Sequence, residues 1–283
     1  MIHIPPFKWV CFNYLCFFIF CSNTLFGQQS DSLFVEYLFE KKYYADIIRW
    51  TEQKGQAFSY YRGLAFYNQQ QIDSAIYNFD KLPVGHPSFI KSRFLVGFGQ
   101  AFLKKYEMSY QTFAQSKVED TLQSALKNFE LAGLALLQRD TSAFASYQKN
   151  FRGNFFAFSQ EEEKLKEIGV LIRKHKKKSP LLAGAMSVVV PGSGKIYAGK
   201  TGQGIITFIQ NLALGLQAYE AYRRDGWKSP RFIIYGGLFT FFYVGNIWGS
   251  TLSVHIRQQE FNDKMNGQIL LNMQTPLRVV FGQ

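Results

Sequence analysis

The chain contains little of what metal and redox chemistry require. All 3 of its cysteines (Cys11, Cys16 and Cys21) lie within the first 27 residues, and Cys21 follows Phe20 rather than the small residue of a bacterial lipoprotein cleavage site. Its 4 histidines, at positions 3, 86, 175 and 255, do not have the spacing of metal ligands. Beyond residue 27 cysteine chemistry is excluded, and we expect neither a metal site nor a cofactor.

Acidic residues are scarce in the last two fifths of the chain. Residues 171–283 contain 14 Lys+Arg and 4 Asp+Glu, which accounts for +10 of the net charge of +12. Such a basic excess suits nucleic acid, a membrane surface or an acidic partner. Here the basic residues flank long apolar stretches and do not alternate with aromatic residues along a polar groove. We therefore favour a membrane over nucleic acid.

Residues 1–27 have the layout of a secretory signal peptide. Lys8 provides a short basic start, an apolar run covers residues 9–20, and Gly27 precedes the polar sequence QQSDS. We expect cleavage near Gly27 or Gln28. Because Leu25 is larger than the residue usually found two positions before a cleavage site, an uncleaved anchor is the alternative. In both cases the residues that follow are exported.

A 34-residue repeat runs through residues 63–147. The three sequences that align are GLAFYNQQQIDSAIYNF (63–79), GFGQAFLKKYEMSYQTF (97–113) and LAGLALLQRDTSAFASY (131–147). Small residues recur at Ala75, Ser109 and Ala143, and aromatic residues follow four positions later at Phe79, Phe113 and Tyr147. A small residue lets two helices approach closely, and an aromatic residue on the same face fills the space toward the next repeat.

This pattern resembles the tetratricopeptide repeat, although the usual tryptophan and the closing proline are absent. The resemblance implies a helical solenoid over residues 28–155 whose concave face binds a protein or peptide. We expect the residues lining this partner-binding groove to be Tyr60, Tyr67, Phe94 and Phe98. The alternative is that they are ordinary core residues between helices. The carboxylates of this region are spread singly at helical intervals, so we expect no enzyme.

Residues 156–179 predict a charged linker helix. Within it, SQEEEKLKEIGVLIRKHKKK (159–178) has acidic residues at its start and basic residues at its end, as the helix dipole favours. Because the basic end precedes an apolar region, we expect it to contact anionic lipid head groups. The side chains concerned are Arg173, Lys174, Lys176, Lys177 and Lys178. A solvated helix end is the alternative.

Residues 180–256 predict a membrane module. Residues 204–222 and 232–254 are long and apolar enough to span a bilayer, and the basic loop between them favours a helical hairpin with its tip in the cytoplasm. Residues 181–198 contain Pro191 and several glycines, which predicts a broken, re-entrant segment rather than a third span. Residues 257–283 are left as a tail that could form a short hairpin around residues 274–276.

The sequence GKIYAGKT (194–201) matches the phosphate-loop pattern G-x-x-x-x-G-K-[ST]. A working phosphate loop follows a buried strand, opens a soluble helix and needs an acidic residue on a second strand to organise magnesium. Here a glycine-rich break and an apolar helix follow the match. None of the downstream acidic residues (Glu220, Asp225, Glu260 and Asp263) ends an apolar strand. We therefore expect no nucleotide binding.

The sequences SPLLAGAMSVVVPGSGKIYAGKTGQG (179–204) and FFYVGNIWGS (241–250) resemble a family of small bacterial membrane modules. These modules share a Ser-Pro start, a Pro-Gly-x-Gly-x-x-Tyr-x-Gly core and an apolar hairpin, often behind a repeat domain in Bacteroidetes-type envelope proteins. The resemblance implies location and architecture rather than activity. The motif residues are Pro191, Gly192, Gly194, Tyr197 and Gly199, and we expect Asn246 to bond a neighbouring helix.

Together these patterns predict an all-α protein, a tetratricopeptide-like solenoid followed by a transmembrane hairpin with a broken segment. We expect a membrane-anchored interaction scaffold at the bacterial inner membrane, with its repeat domain in the periplasm. Its partners would be a protein or peptide, the lipid bilayer and another membrane protein. Some modules of the family are similar to partners of the membrane-protein insertion machinery, which adds a role in insertion or envelope assembly as a hypothesis. The alternatives are a small transport or channel component and, least favoured, a P-loop NTPase.

Overall fold

A computed structural model describes residues 31–118, 120–151, 153 and 155–282. Within these ranges the chain is helical and has no strand, which confirms the all-α prediction. The predicted signal peptide of residues 1–27, with its cysteines, lies outside the described residues. The chain forms two compact units. The first contains the described residues up to Gln138, Ala143–Ser159 and the residues from Met273 onward; the second contains Arg139–Ser142 and Gln160–Asn272.

Short helices that pack in chain order build the first unit. From α2 to α7, each helix packs against the next one along the chain. The helices up to residue 148 are α1 (31–40), α2 (Tyr44–Glu52), a 3-10 turn (Gly55–Phe58), α3 (Ser59–Asn68), α4 (Ile72–Phe79), α5 (Phe89–Phe102), α6 (Tyr106–Gln115), α7 (Thr121–Leu137) and α8 (Thr141–Gln148).

One turn geometry recurs between the helices of the first unit. Lys42, Gln70 and Lys104 have positive φ angles of 58°, 61° and 60°. In each turn the next N–H donates to the carbonyl five residues earlier: Tyr43 to Leu38, Gln71 to Phe66 and Lys105 to Gln100. This is the Schellman arrangement, which satisfies carbonyls at a helix C-terminus. Gln70 and Lys104 are 34 residues apart, the same offset as in the sequence pattern.

A glycine packed against an aromatic ring recurs at the same offset. A Cβ atom added to Gly63 would lie 2.6 Å from the ring of Phe79, and one added to Gly97 would lie 2.6 Å from the ring of Phe113. Both rings are buried. Because each ring occupies the space of the missing side chain, the two glycines set how closely α3 and α5 approach the helices that follow them.

The two longest described helices lie in the chain from residue 159 onward. They are α9 (Ser159–Lys174), α10 (Pro180–Val189), α11 (Ser193–Tyr197), α12 (Thr201–Asp225) and α13 (Pro230–Phe281). Helix α9 ends four residues before the predicted end at residue 178. Helices α10 and α11 are separated at the predicted break, where Pro191 and Gly192 lie.

Helix α13 does not end near residue 254. It continues to Phe281 with Pro276 inside it, so the short hairpin that we predicted around residues 274–276 is wrong. The buried residues Met273 and Leu277 lie four positions apart and therefore share one helix face. Burial of this face stabilises the helix and offsets the cost of an internal proline.

Among the described residues, α13 is the one helix long and apolar enough to cross a membrane. Its apolar window has a mean hydropathy of 1.3, and only 6% of that window is buried. Helix α12 contains the other predicted span, residues 204–222. It is long enough to cross a bilayer, but Gln210, Asn211 and Gln217 interrupt its apolar sequence. These polar residues make α12 less apolar than α13.

Replacing Gly97 by alanine should destabilise the first unit, because the new methyl group would lie 2.6 Å from the Phe113 ring. We expect the free energy of unfolding to fall by about 1–3 kcal/mol, as in other overpacked cores. Urea unfolding of the full chain in detergent micelles, followed by circular dichroism, measures the loss. Gly85→Ala is the control, since a Cβ atom there meets nothing within 4 Å. Equal midpoints for the two variants would contradict the proposed packing.

Candidate functional site

The four predicted groove residues lie on α3 and α5, and the structure brings them into one region of the first unit. The ring centroids of Tyr67 and Phe98 are 6.5 Å apart. Tyr60 packs on the Phe79 ring, and Phe94 packs on the Phe113 ring, each at 5.9 Å. Tyr60, Phe94 and Phe98 are buried, whereas Tyr67 is partly buried. Three of the four predicted groove residues are therefore buried between helices, as the alternative interpretation expects.

Residues 273–281 of α13, named the C-terminal segment below, cover this face. The side-chain amide of Gln274 donates to the Tyr67 hydroxyl at 2.8 Å. The ring of Phe281 lies 5.4 Å from that of Phe94, and the ammonium group of Lys91 donates to the Phe281 carbonyl. Two of the four predicted groove residues thus contact another part of the same chain.

Helix α7 provides the third side of the same surface. A Cβ atom added to Gly133 would lie 2.6 Å from Cγ of Met273, so the segment approaches the α7 backbone closely. Met273 and Leu277 are 0% and 1% exposed. The surface that α3, α5 and α7 present to the C-terminal segment is named the groove face.

The C-terminal segment extends along the groove face from the C-terminal parts of α3 and α7 toward the first half of α5. Its first part contacts Tyr67 near the C-terminal end of α3 and Gly133 in the second half of α7. Its last residue in the helix, Phe281, contacts Phe94 in the first half of α5. The segment therefore contacts α3 and α7 with its first residues and α5 with its last one.

Glu130 on α7 is a fully buried carboxyl group near this surface. Among the described residues, neither of its carboxyl oxygens has a hydrogen-bond partner. Burial raises the pKa of Glu130 well above its usual value. The pKa of Tyr67 is also raised, mainly because the side chain is buried. The hydrogen bond from Gln274 and the charge of Arg278 lower this pKa, whereas Glu130 raises it. The Tyr67 hydroxyl therefore lies near Gln274, Arg278 and Glu130.

The predicted lipid-contact residues form an exposed basic run at the end of α9. Arg173 and Lys174 occupy the last helical positions, where positive charge complements the helix dipole. The three lysines that follow the helix, Lys176, Lys177 and Lys178, are exposed as well. Five positive charges are thus accessible just before α10.

A buried polar cluster ties the break between α10 and α11 to α13. The side-chain oxygen of Asn246 accepts the Gly192 N–H at 3.1 Å. The Ser187 hydroxyl accepts the Gly194 N–H at 3.0 Å and donates to the Ser250 hydroxyl at 2.7 Å. Asn246 is only 3% exposed. Its amide therefore replaces the intrahelical bonds that the chain loses at the break.

Two motif glycines make close backbone approach possible. Gly192 has a φ of 87°, and a Cβ atom added there would lie 2.1 Å from the Gly204 carbonyl oxygen. A Cβ atom at Gly194 would lie 1.9 Å from the Ala183 carbonyl oxygen. Backbone atoms cannot yield as a flexible side chain can, so larger residues are excluded at both positions.

The other motif residues shape the two ends of the break. Pro191 follows Val190, the C-cap residue of α10. The Tyr197 hydroxyl accepts the Ser179 N–H at 3.2 Å, which links the end of α11 to the start of α10. Gly199 has a φ of 89° and forms the turn into α12.

The chain itself uses the backbone amides of the phosphate-loop match. Besides the Gly194 amide, those of Ala198, Gly199 and Lys200 donate to carbonyls three to five residues earlier. The ammonium group of Lys200 lies 3.6 Å from the Glu260 carboxylate. A phosphate loop instead directs its amides and its lysine at the bound phosphates.

Apolar side chains are exposed and polar ones buried in the second unit. Ser187, Asn211, Asn246 and Ser250 are buried. Large apolar residues on α10, α12 and α13 are exposed, including Leu181 (83%), Val189 (82%), Ile206 (67%), Phe241 (72%) and Trp248 (77%). Water-soluble proteins rarely expose apolar surface on this scale.

Comparison with known proteins adds no identification. No protein-family model matches the chain, and no curated protein or solved structure matches it. The two family resemblances therefore remain predictions, and the contacts described above carry the functional argument.

Sequence reasoning missed the α7 residues and the C-terminal segment. One signal was available, since Met273, Leu277 and Phe281 recur every four positions and would share a helix face. Pro276 instead predicts a turn. Glu130 had no signal of its own, because its sequence neighbours do not reveal that it is buried.

Replacing Asn246 by alanine should destabilise the second unit. The Gly192 N–H would remain buried without its acceptor, which costs about 1–3 kcal/mol. Thermal unfolding of the full chain in detergent, followed by circular dichroism, measures the change. Gln268→Ala, an exposed amide on the same helix, is the control and should unfold like the natural chain. Equal loss in both variants would mean that the polar cluster has no special role.

Replacing Glu130 by glutamine should flatten the pH dependence of stability. Because the folded-state pKa of Glu130 is raised, the folded chain retains a proton that the unfolded chain loses above about pH 4.5. The stability of the natural chain should therefore fall as the pH rises from this value toward the raised pKa, by up to about 1.4 kcal/mol per pH unit.

Urea unfolding between pH 5 and pH 8 measures this slope. Glu130→Gln should have a smaller slope and should be the more stable protein at pH 8. Glu40→Gln, which changes an exposed carboxylate of the first unit, should keep the natural slope. An unchanged slope in Glu130→Gln would show that Glu130 is ionised in the folded chain.

Proposed function

We propose that this protein is a membrane-anchored interaction scaffold of the bacterial cell envelope, and that its first unit binds a helix of a protein partner. The observation that carries the proposal is the groove face, which already holds a helix of the same chain. Tyr67 bonds Gln274, Phe94 packs on Phe281, and Gly133 leaves room for Met273. Binding of an amphipathic helix in a groove is a recurrent mode of peptide recognition.

Features repeated along the first unit support a tetratricopeptide-like solenoid over residues 28–155. Turns with a positive φ angle at Gln70 and Lys104, and glycine–aromatic contacts at Gly63 and Gly97, recur at an offset of 34 residues. In such a solenoid, the first helices of successive pairs line one concave surface. Helices α3, α5 and α7 are the first helices of the three sequence repeats, and they form the groove face.

The inverted polarity of the second unit supports the membrane anchor. The exposed apolar residues of α10, α12 and α13 suit contact with lipid, and the polar cluster satisfies the backbone at the break, as a bilayer requires. We propose that α12 and α13 form a hairpin with its basic loop in the cytoplasm. In this arrangement α10 and α11 form the re-entrant segment, the run from Arg173 to Lys178 contacts lipid head groups, and the first unit is periplasmic.

The same geometry favours a scaffold over a nucleotide-hydrolysing enzyme. The amides from Ala198 to Lys200 bond within the chain, and Lys200 pairs with Glu260. A role in membrane-protein insertion or envelope assembly rests on the family resemblance alone.

A photo-crosslinking amino acid at Tyr67 tests the proposal. In native membranes we expect it to crosslink the full chain to a partner protein, because Tyr67 lies on the groove face. Tyr77 on α4 is the control, since it is 63% exposed and makes none of the contacts with the C-terminal segment. Mass spectrometry identifies the products. The proposal fails if Tyr67 gives only adducts within the chain, or if both positions give the same adducts.

A further inference from the structure

The C-terminal segment packs against the groove face, but it provides no hydrogen-bond donor to the buried carboxyl group of Glu130. Both carboxyl oxygens of Glu130 lack a hydrogen bond within the part of the chain that the structure describes, although the side chain is fully buried. Buried polar groups in native proteins nearly always have partners, and an exception requires an explanation. A site completed by a different ligand is one such explanation.

The register of the segment shows which ligand position faces Glu130. Gly133 contacts Met273, and Phe281, at the other end of the segment, contacts the first half of α5. Helices α5 and α7 run in the same direction, because α6 lies between them in the chain and packs against both. The segment therefore continues from Gly133 toward the N-terminus of α7. Glu130 lies one turn closer to the N-terminus of α7 than Gly133, and Leu277 lies one turn further along the segment than Met273. The turn that contains Glu130 therefore lies opposite the turn that contains Leu277, whose side chain is apolar and cannot donate a hydrogen bond.

The remaining contacts describe the rest of the ligand. Met273 fills the space above Gly133, and Phe281, eight positions later, packs on Phe94. Positions separated by four and eight residues share one face of a helix. The groove face therefore suits a helix with apolar side chains at the first and ninth positions and a cationic side chain at the fifth.

We propose that the C-terminal segment is a resident ligand of the groove face, and that a partner helix with a lysine or arginine opposite Glu130 displaces it. The inference rests on the function proposed above, and it adds the chemistry of the partner and the competition with the chain's own helix. A cationic side chain at this position would form a charge-assisted hydrogen bond with Glu130. The natural segment makes no such bond among the described residues, and its own cation, Arg278, is exposed.

A reversible covalent latch tests the displacement. A Cβ atom at Gly133 lies 2.6 Å from Cγ of Met273, so the two Cβ atoms lie within about 4 Å of each other, as a disulfide requires. The latched protein is the full chain with Gly133→Cys and Met273→Cys, and with Cys11, Cys16 and Cys21 replaced by serine. Met273→Cys alone, in the same background, is the control that cannot form the latch.

The probes are two synthetic peptides with the sequence of residues 268–283, one natural and one with Leu277→Lys. Fluorescence anisotropy measures their binding to the full chain in detergent. The reduced double variant and the control should bind both peptides, and the oxidised double variant should bind neither. The lysine peptide should bind at least about tenfold more tightly than the natural one, as expected for one additional charge-assisted contact. Glu130→Gln should remove this preference but retain binding of the natural peptide.

Several results would overturn the inference. Equal binding by the oxidised and reduced chains would show that the segment does not block the groove face. No binding to the reduced chain would show that the segment is not exchangeable, and equal affinity for the two peptides would exclude the cationic position. A dimer formed by the reduced chain but not by the oxidised chain would make the segment of a second copy the occupant.

These failures are separable from a failure of the proposed function. Crosslinking of a partner through Tyr67 in native membranes would still support the scaffold if both peptides failed. If the peptides behaved as expected but Tyr67 gave no partner, the displacement would stand and the scaffold function would fail.

Discussion

Burial of the C-terminal segment against α3, α5 and α7 is the contact on which the surface of the first unit depends. Met273 fills the space that Gly133 leaves, Gln274 satisfies the Tyr67 hydroxyl, and Phe281 continues the aromatic packing of Phe94. Without the segment, this apolar face would be open to water. Because the face already matches the shape of a helix, the same contacts that stabilise the unit define what it can bind.

The second unit meets a different constraint. The backbone amides at the break between α10 and α11 need hydrogen-bond acceptors within a unit whose surface is apolar. Asn246 and Ser187 accept the amides of Gly192 and Gly194, and the glycines let the chain pack where any side chain would collide with a carbonyl. The Pro-Gly-x-Gly pattern therefore has a structural explanation in which nucleotide plays no part. Its glycines allow the close packing at the break, and the buried side chain of Asn246 accepts a backbone amide there.

Periodicity in the sequence predicted much of this architecture. The 34-residue spacing identified Phe79 and Phe113, whose rings pack on glycines in the structure, and the density of glycine near Pro191 predicted a break there. The path of residues 257–283 was mispredicted, because the local signal of Pro276 favours a turn, whereas the spacing of Met273, Leu277 and Phe281 and the distant contacts favour a helix. Glu130 was missed for a similar reason, since only tertiary packing makes it buried.

Hydrogen exchange of the C-terminal segment tests the central claim most directly. The amides of residues 277–281 should exchange as slowly as those of α5 in the isolated full chain, because both belong to one packed surface. They should become faster when a saturating helical ligand is added, while the amides of α5 remain protected. Rapid exchange of these amides in the isolated chain, at the rate of a frayed helix end, would contradict the account.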